Sequence, residues 1–266
     1  MVNVYLKNLR KSWIGGIVPP LFLAGFIGLI AMSWSSLQDL ILDRLEQMNN
    51  PIYQAILGDL GLEGFGLTFQ GALFMYGGGT LNILILFVSL VIPARLLSTE
   101  IDKKTMDVML SFPIPRWRYL LEKFSVYLTY NLLFPILFIA VLIGSTLAIN
   151  EEIDLALLTN VAIGYYLLLF ALGALSLLCA TIFLDSDKSL SAAGVLILGQ
   201  YFLESMSGFI PALEDFQGIS LFHYFKIGAI QEAGMLPLID IFIVVGVGLI
   251  ALVSALAIFQ KREFAI

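Results

Sequence analysis

Six apolar runs, each about as long as a bilayer core is thick, leave this chain few folds to choose from. They cover residues 14–34, 72–97, 124–149, 155–184, 190–210 and 237–259. A hydrocarbon core about 30 Å thick takes roughly 20 residues of α-helix. Within it every backbone N–H and C=O must be bonded inside the protein, so only helices or a closed barrel can span. None of the six runs alternates apolar and polar residues as barrel strands do. Composition agrees: 59% of the 266 residues are hydrophobic and 13% charged, with mean hydropathy +0.95. A soluble domain of this size needs far more polar surface. The expected fold is all-α, a polytopic membrane protein of six transmembrane helices in one transmembrane domain, residues 1–266.

The basic residues set the orientation. With both termini inside, Lys7, Arg10, Lys11, Arg95, Lys103, Lys104, Arg116, Arg118, Lys123, Lys188, Lys261 and Arg262 lie on the inner side. That is twelve of the fourteen Lys and Arg, with only Arg44 and Lys226 outside, as the positive-inside rule requires. The protein is therefore expected in the cytoplasmic (plasma) membrane with both termini cytoplasmic. The first run is longer than a signal-peptide core, and Trp34-Ser35-Ser36 offers no small-residue cleavage site, so it reads as a retained helix. The net charge of −6 comes largely from outward loops. It does not form a surface for nucleic acid. The single Cys179, inside the fourth run, reads as a small buried hydrophobe.

Outside the spans, Val2, Tyr5, Leu6 and Leu9 recur at helical spacing opposite Lys7, Arg10 and Lys11. This predicts a short amphipathic helix in the inner interface, with plain flanking charges as the alternative. The outer segments 35–70 and 218–236 read as a long cap or partner surface and an interfacial amphipathic stretch. Tight hairpins are expected at 150–152 and at 185–188. Asn82 and Asn131 are expected to hydrogen-bond between helices.

The one dense charged stretch is STEIDKKTMDVMLSFPIPRWRYLLEK, residues 98–123, between the second and third runs. Pro93 is placed to kink the preceding helix. Thr99 stands three residues before Asp102 as a loose capping box. Ile101, Thr105, Val108, Met109 and Phe112 share one helical face, and Pro113 and Pro115 stop the helix. Arg116, Trp117, Arg118 and Tyr119 suit an interfacial anchor. The pattern describes a short helix parallel to the membrane, whose displacement would lever both flanking spans. An ordinary charged inner loop is the plainer reading.

Glu100, the run Lys104 to Ser111, Pro113, Arg116 and Lys123 together resemble the "E…GT…LL…P…R…K" stretch of ATP-binding cassette (ABC) transporter permeases of the type-2 exporter family. Lys104 departs from the pattern, standing where the family usually has glycine. The resemblance implies that this hairpin is a coupling helix docking into an ATPase subunit, with Glu100, Thr105, Asp107, Pro113 and Arg116 at the contact. It also implies a dimer of six-helix permeases, homo- or heteromeric, in the lipid bilayer, with ATP and Mg bound by the partner ATPase and no cofactor in this chain.

Absences agree with that division of labour. The sequence contains no G-x-x-x-x-G-K-[ST] and no Gly-Lys pair, so no P-loop of its own. One histidine excludes an H-E-x-x-H zinc site, and no G-x-S-x-G occurs. No catalytic or metal constellation emerges, and the chain is not expected to be an enzyme. His223 reads as an interfacial packing residue. Gln200, Glu204 and Ser207 share one face of the fifth span, and an acid at that depth is costly enough to make them a candidate translocation path. The expected function is the permease subunit of an ATP-driven ABC exporter. The alternative is an ATP-independent channel or ion-coupled carrier using Glu204.

Overall fold

The computed structural model describes residues 4–34, 36, 69, 78–102, 115–149, 154–207, 210–227, 230 and 233–262. Among these no strand occurs. The helices are α1 (Val4–Lys11), α2 (Trp13–Met32), α3 (Gly78–Asp102), α4 (Arg116–Asn131), α5 (Leu133–Ile149), α6 (Leu155–Phe183), α7 (Ser186–Ser207) and α8 (Leu238–Lys261). Two 3-10 helices, Pro211–Ile219 and Leu221–Tyr224, lie between α7 and α8.

Four helices are long and apolar enough to cross a membrane: Trp13–Met32, Arg116–Ile149 (α4 and α5 together), Leu155–Phe183 and Leu238–Lys261. The described residues thus supply four of the six expected spans on both length and composition. The other two runs are also helical, over 25 and 22 residues. In α3 the apolar stretch is Leu86–Leu97, and α7 carries Asp187, Lys188 and Glu204 within its length.

α6 is the central post. Of its apolar window 61% is buried, against 33% or less for the other three spans. Its small residues make this possible. Gly164, Ala171, Gly173, Ala174, Ser176 and Ala180 are all buried, and small residues let helices approach closely in lipid, where apolar burial alone gives no advantage. Aromatic rings fill the notches. Tyr127 of α4 lies against Gly173, and Phe225 lies against Gly164. On α8, a Cβ added at Gly248 would come within 2.6 Å of the Phe170 ring. Two hydrogen bonds fasten the same helix: the Tyr127 hydroxyl donates to the Leu169 carbonyl at 2.9 Å, and Ser176 Oγ donates to the Leu90 carbonyl of α3 at 2.8 Å.

Prolines shape the remaining helices. α4 and α5 form one 34-residue rod, about 51 Å at 1.5 Å per residue, interrupted at Leu132. Pro135 has no N–H for the Asn131 carbonyl, so the helical ladder loosens there. Asn131 is buried at that break, and its amide nitrogen has no hydrogen-bond partner. It does not donate to a neighbouring helix as expected. The side chain of Asn82 lies outside the described residues.

Pro93 does not end α3, which continues to Asp102. Thr99 is therefore inside a helix and does not cap a new one. The turn between α6 and α7 is also shorter than expected. Leu184 adopts φ 54, a left-handed C-cap, and the Asp185 carboxylate accepts the Lys188 N–H at 2.9 Å. Ser186, Asp187 and Lys188 already belong to the first turn of α7.

At the start of α6, Asp154 Oδ1 accepts the Ala156 and Leu157 N–H groups at 2.8 and 3.1 Å. The expected hairpin residues 150–152 lie outside the described residues, as does segment 35–70 apart from residues 36 and 69.

Candidate functional site

The ends of the bundle differ in charge. One end gathers α1, the close of α3, the start of α4 and the close of α8, with Lys7, Arg10, Lys11, Arg95, Arg116, Arg118, Lys123, Lys261 and Arg262. The other carries Asp154, Glu204, Glu214, Asp215 and Asp240, with Lys226.

At the basic end Lys123 is only 3% exposed. Its Nζ donates to the Leu96 carbonyl of α3 at 2.6 Å and sits 5.0 Å from the Tyr119 ring centroid. A buried ammonium is costly unless its donors find oxygen or π-electron density, and this one has both. It joins the two helices that flank residues 103–114. Arg116 Nη1 donates to the Arg262 carbonyl at 2.5 Å, so a guanidinium from the start of α4 meets the negative pole of α8, where carbonyls lack helical partners. Glu122 serves two elements. It pairs with Arg118 at 2.8 Å and accepts the Tyr5 N–H at 3.2 Å, filling an orphan donor in the first turn of α1. The Tyr5 hydroxyl bonds Thr129 at 2.9 Å, and the Tyr130 hydroxyl donates to the Leu9 carbonyl. The start of α4 is thereby tied to α1, α3 and α8 at once.

The acidic end has a second polar cluster. Gln200 Oε1 accepts the Leu221 N–H, and the Gln200 carbonyl accepts Ser220 Oγ, both at 3.0 Å. One turn further along, Glu204 lies 3.1 Å from Lys226 Nζ and 3.5 Å from His223 Nδ1. Ser207 Oγ donates to the Glu204 carbonyl at 2.7 Å within its own helix. His223 packs edge-on to Tyr224 at 5.3 Å. Two successive turns of α7 therefore hold residues 220–226 in place. The Glu204 side chain is 18% exposed but that of Lys226 is 47% exposed, so solvent limits the pair to about 1 kcal/mol. Glu204→Gln is expected to speed amide exchange across residues 220–226 about fivefold, the equivalent of that energy. Hydrogen-exchange mass spectrometry reads it directly, and an unchanged rate would show that the pair contributes nothing.

A family model described as ABC-2 family transporter protein matches residues 23–264. The chain belongs to that family. No curated protein and no solved structure matches it. As an ABC-2 family transporter protein it is a multi-pass membrane protein, of a permease family whose members are membrane subunits.

In this ABC-2 family member the expected site residues fall into three groups. Thr105, Asp107 and Pro113 lie outside the described residues. Glu100 stands in the last turn of α3 and Arg116 opens α4, so both flank the segment they were expected to serve. Gln200, Glu204 and Ser207 do share one region of α7, with Gln200 and Glu204 bonded to residues 220–226.

Sequence reading had Lys123 as a topology charge and missed its bond to α3. A cation seven residues inside a helix, on the same face as Tyr119, was the available signal. Lys226 was likewise missed as the partner of Glu204. It is one of two cations on an otherwise acidic side, which already pointed to a local carboxylate.

Proposed function

We propose that this chain is the permease subunit of an ATP-driven ABC exporter, moved by a separate P-loop ATPase through residues 98–123. The observation that carries this reading is the buried Lys123 bond to the Leu96 carbonyl, 2.6 Å long. It binds together the two helices on either side of that segment. A push delivered between α3 and α4 cannot then be absorbed by the two helices sliding apart. Through Arg116 and Glu122 the same push reaches α8 and α1. Coupling of this kind requires two global states whose contacts with the ATPase differ.

In this reading the chain adopts six spans with cytoplasmic termini and pairs with a second permease protomer. Glu100, Thr105, Asp107, Pro113 and Arg116 form the contact with the ATPase, which binds ATP and Mg. Gln200, Glu204 and Ser207 keep the strap 220–226 against α7 at the far end of the path. The other reading, a channel or ion-coupled carrier using Glu204, has less support, because Lys226 and His223 already stand against that carboxylate.

The test is co-purification with the P-loop ATPase encoded beside this chain, followed by ATP hydrolysis in liposomes. Arg116→Ala is expected to lower permease-stimulated hydrolysis about tenfold, consistent with loss of one charged hydrogen bond of about 1.5–3 kcal/mol, while membrane insertion is unchanged. Failure of any such ATPase to bind the wild-type chain would refute the assignment.

A further inference from the structure

Helix α1 is docked by one face only. Tyr5 and Leu9 meet α4 through the Glu122, Thr129 and Tyr130 bonds. The opposite face carries Lys7, Arg10 and Lys11, all exposed. Among the described residues no carboxylate pairs with any of the three. The same face, continued into the first turn of α2, exposes Leu6 (50%), Trp13 (55%) and Ile14 (59%). Cations and large apolar groups are therefore interleaved on one surface, at the end of the bundle where positive charge collects.

We propose that this face binds acidic phospholipid headgroups, with Lys7, Arg10 and Lys11 holding the phosphate charge while Leu6, Trp13 and Ile14 enter the acyl boundary. The occupant is argued from complementarity. A soluble acidic partner would meet the cations but leave three large apolar side chains against water. The boundary of an anionic leaflet satisfies both kinds of group, and Trp is favoured at that depth. Fixing α1 to α4 holds the three cations in one plane before any lipid arrives, which reduces the ordering cost of binding. Because α1, α3 and α8 are all tied to α4, lipid occupancy would brace the same group of helices that the proposed ATPase moves. The inference rests on the basic end facing the anionic leaflet, but not on the identity of the ATPase.

The experiment uses the purified full-length protein in neutral detergent, with phosphatidylglycerol and phosphatidylcholine of identical acyl chains competing for retention, read by native mass spectrometry. Wild type is expected to retain phosphatidylglycerol with more than about tenfold preference, since each cation near an anionic surface contributes about fivefold. High salt should erase most of that preference. The combined variant Lys7→Gln, Arg10→Gln and Lys11→Gln should lose it, whereas Lys7→Arg with Lys11→Arg should keep it.

Equal retention of the two lipids by wild type overturns the proposal without requiring any variant to fold. So does a triple variant that keeps the wild-type preference. Inorganic phosphate that displaces phosphatidylglycerol at equal concentration also overturns it, by showing a free-anion site. A triple variant that keeps its lipid preference but loses the ATPase reassigns the face to a protein partner. Loss of ATPase binding by wild type would refute the exporter reading and leave the lipid result standing.

Discussion

Lys123→Met is expected to uncouple the protein: permease-stimulated ATP hydrolysis should fall about ten- to a hundredfold while the chain still inserts and binds detergent normally. Methionine fills nearly the same volume, so packing around Tyr119 and the α3–α4 contact is kept. What disappears is the charge-assisted hydrogen bond to the Leu96 carbonyl, worth about 1.5–3 kcal/mol. The carbonyl itself tolerates the loss, because its helical partner remains in place. Lys123→Arg is expected to rescue only in part, since a planar fork does not replace a compact ammonium above a ring. The measurement is ATPase activity in liposomes with the partner subunit, alongside thermal unfolding of the permease alone. A large drop in unfolding temperature with Lys123→Met would show a merely structural role. Full coupling in that variant would remove the clasp from the mechanism.

The second large effect belongs to α6. Gly173→Leu should destabilise the bundle by about 3 kcal/mol, the upper part of the range for overpacking a filled core. No space exists for the new side chain, because the Tyr127 ring lies directly over Gly173 and its hydroxyl is bound to the Leu169 carbonyl. The expected result is loss of monodisperse protein on size exclusion and a lower unfolding temperature. A size-compensating second change, Tyr127→Ala, should recover part of the loss. Contacting residues of this kind show interaction energies of about 0.5–3 kcal/mol in a double-mutant cycle. Additive effects would mean that the ring and the glycine are not in contact.

Much of this was legible from spacing. The apolar runs coincide with helices because backbone satisfaction in lipid admits hardly any other structure. The amphipathic N-terminal segment is helical, as Tyr5, Leu6 and Leu9 at helical spacing required. Pro135 breaks its helix for a reason visible in the residue alone. Boundaries were less legible. Thr99 resembled a helix start and lies in the interior of α3, because a capping signature ranks below a helix already in progress. Residues 186–188 resembled a hairpin and open α7, because Leu184 completes the turn in a left-handed conformation that composition would not assign to leucine.

Local chemistry, then, settled the class of fold, the helical segments and the side of the bundle on which positive charge collects. All of these follow from solvation and hydrogen-bond rules acting on neighbours in the chain. Tertiary structure alone decided which helix is central and what each buried polar group is bonded to. The Lys123 bond to Leu96 spans 27 residues and the Arg116 bond to Arg262 spans 146. Periodicity carries no information over such separations. Packing does, because a buried charge is stable only where another element happens to supply its partner.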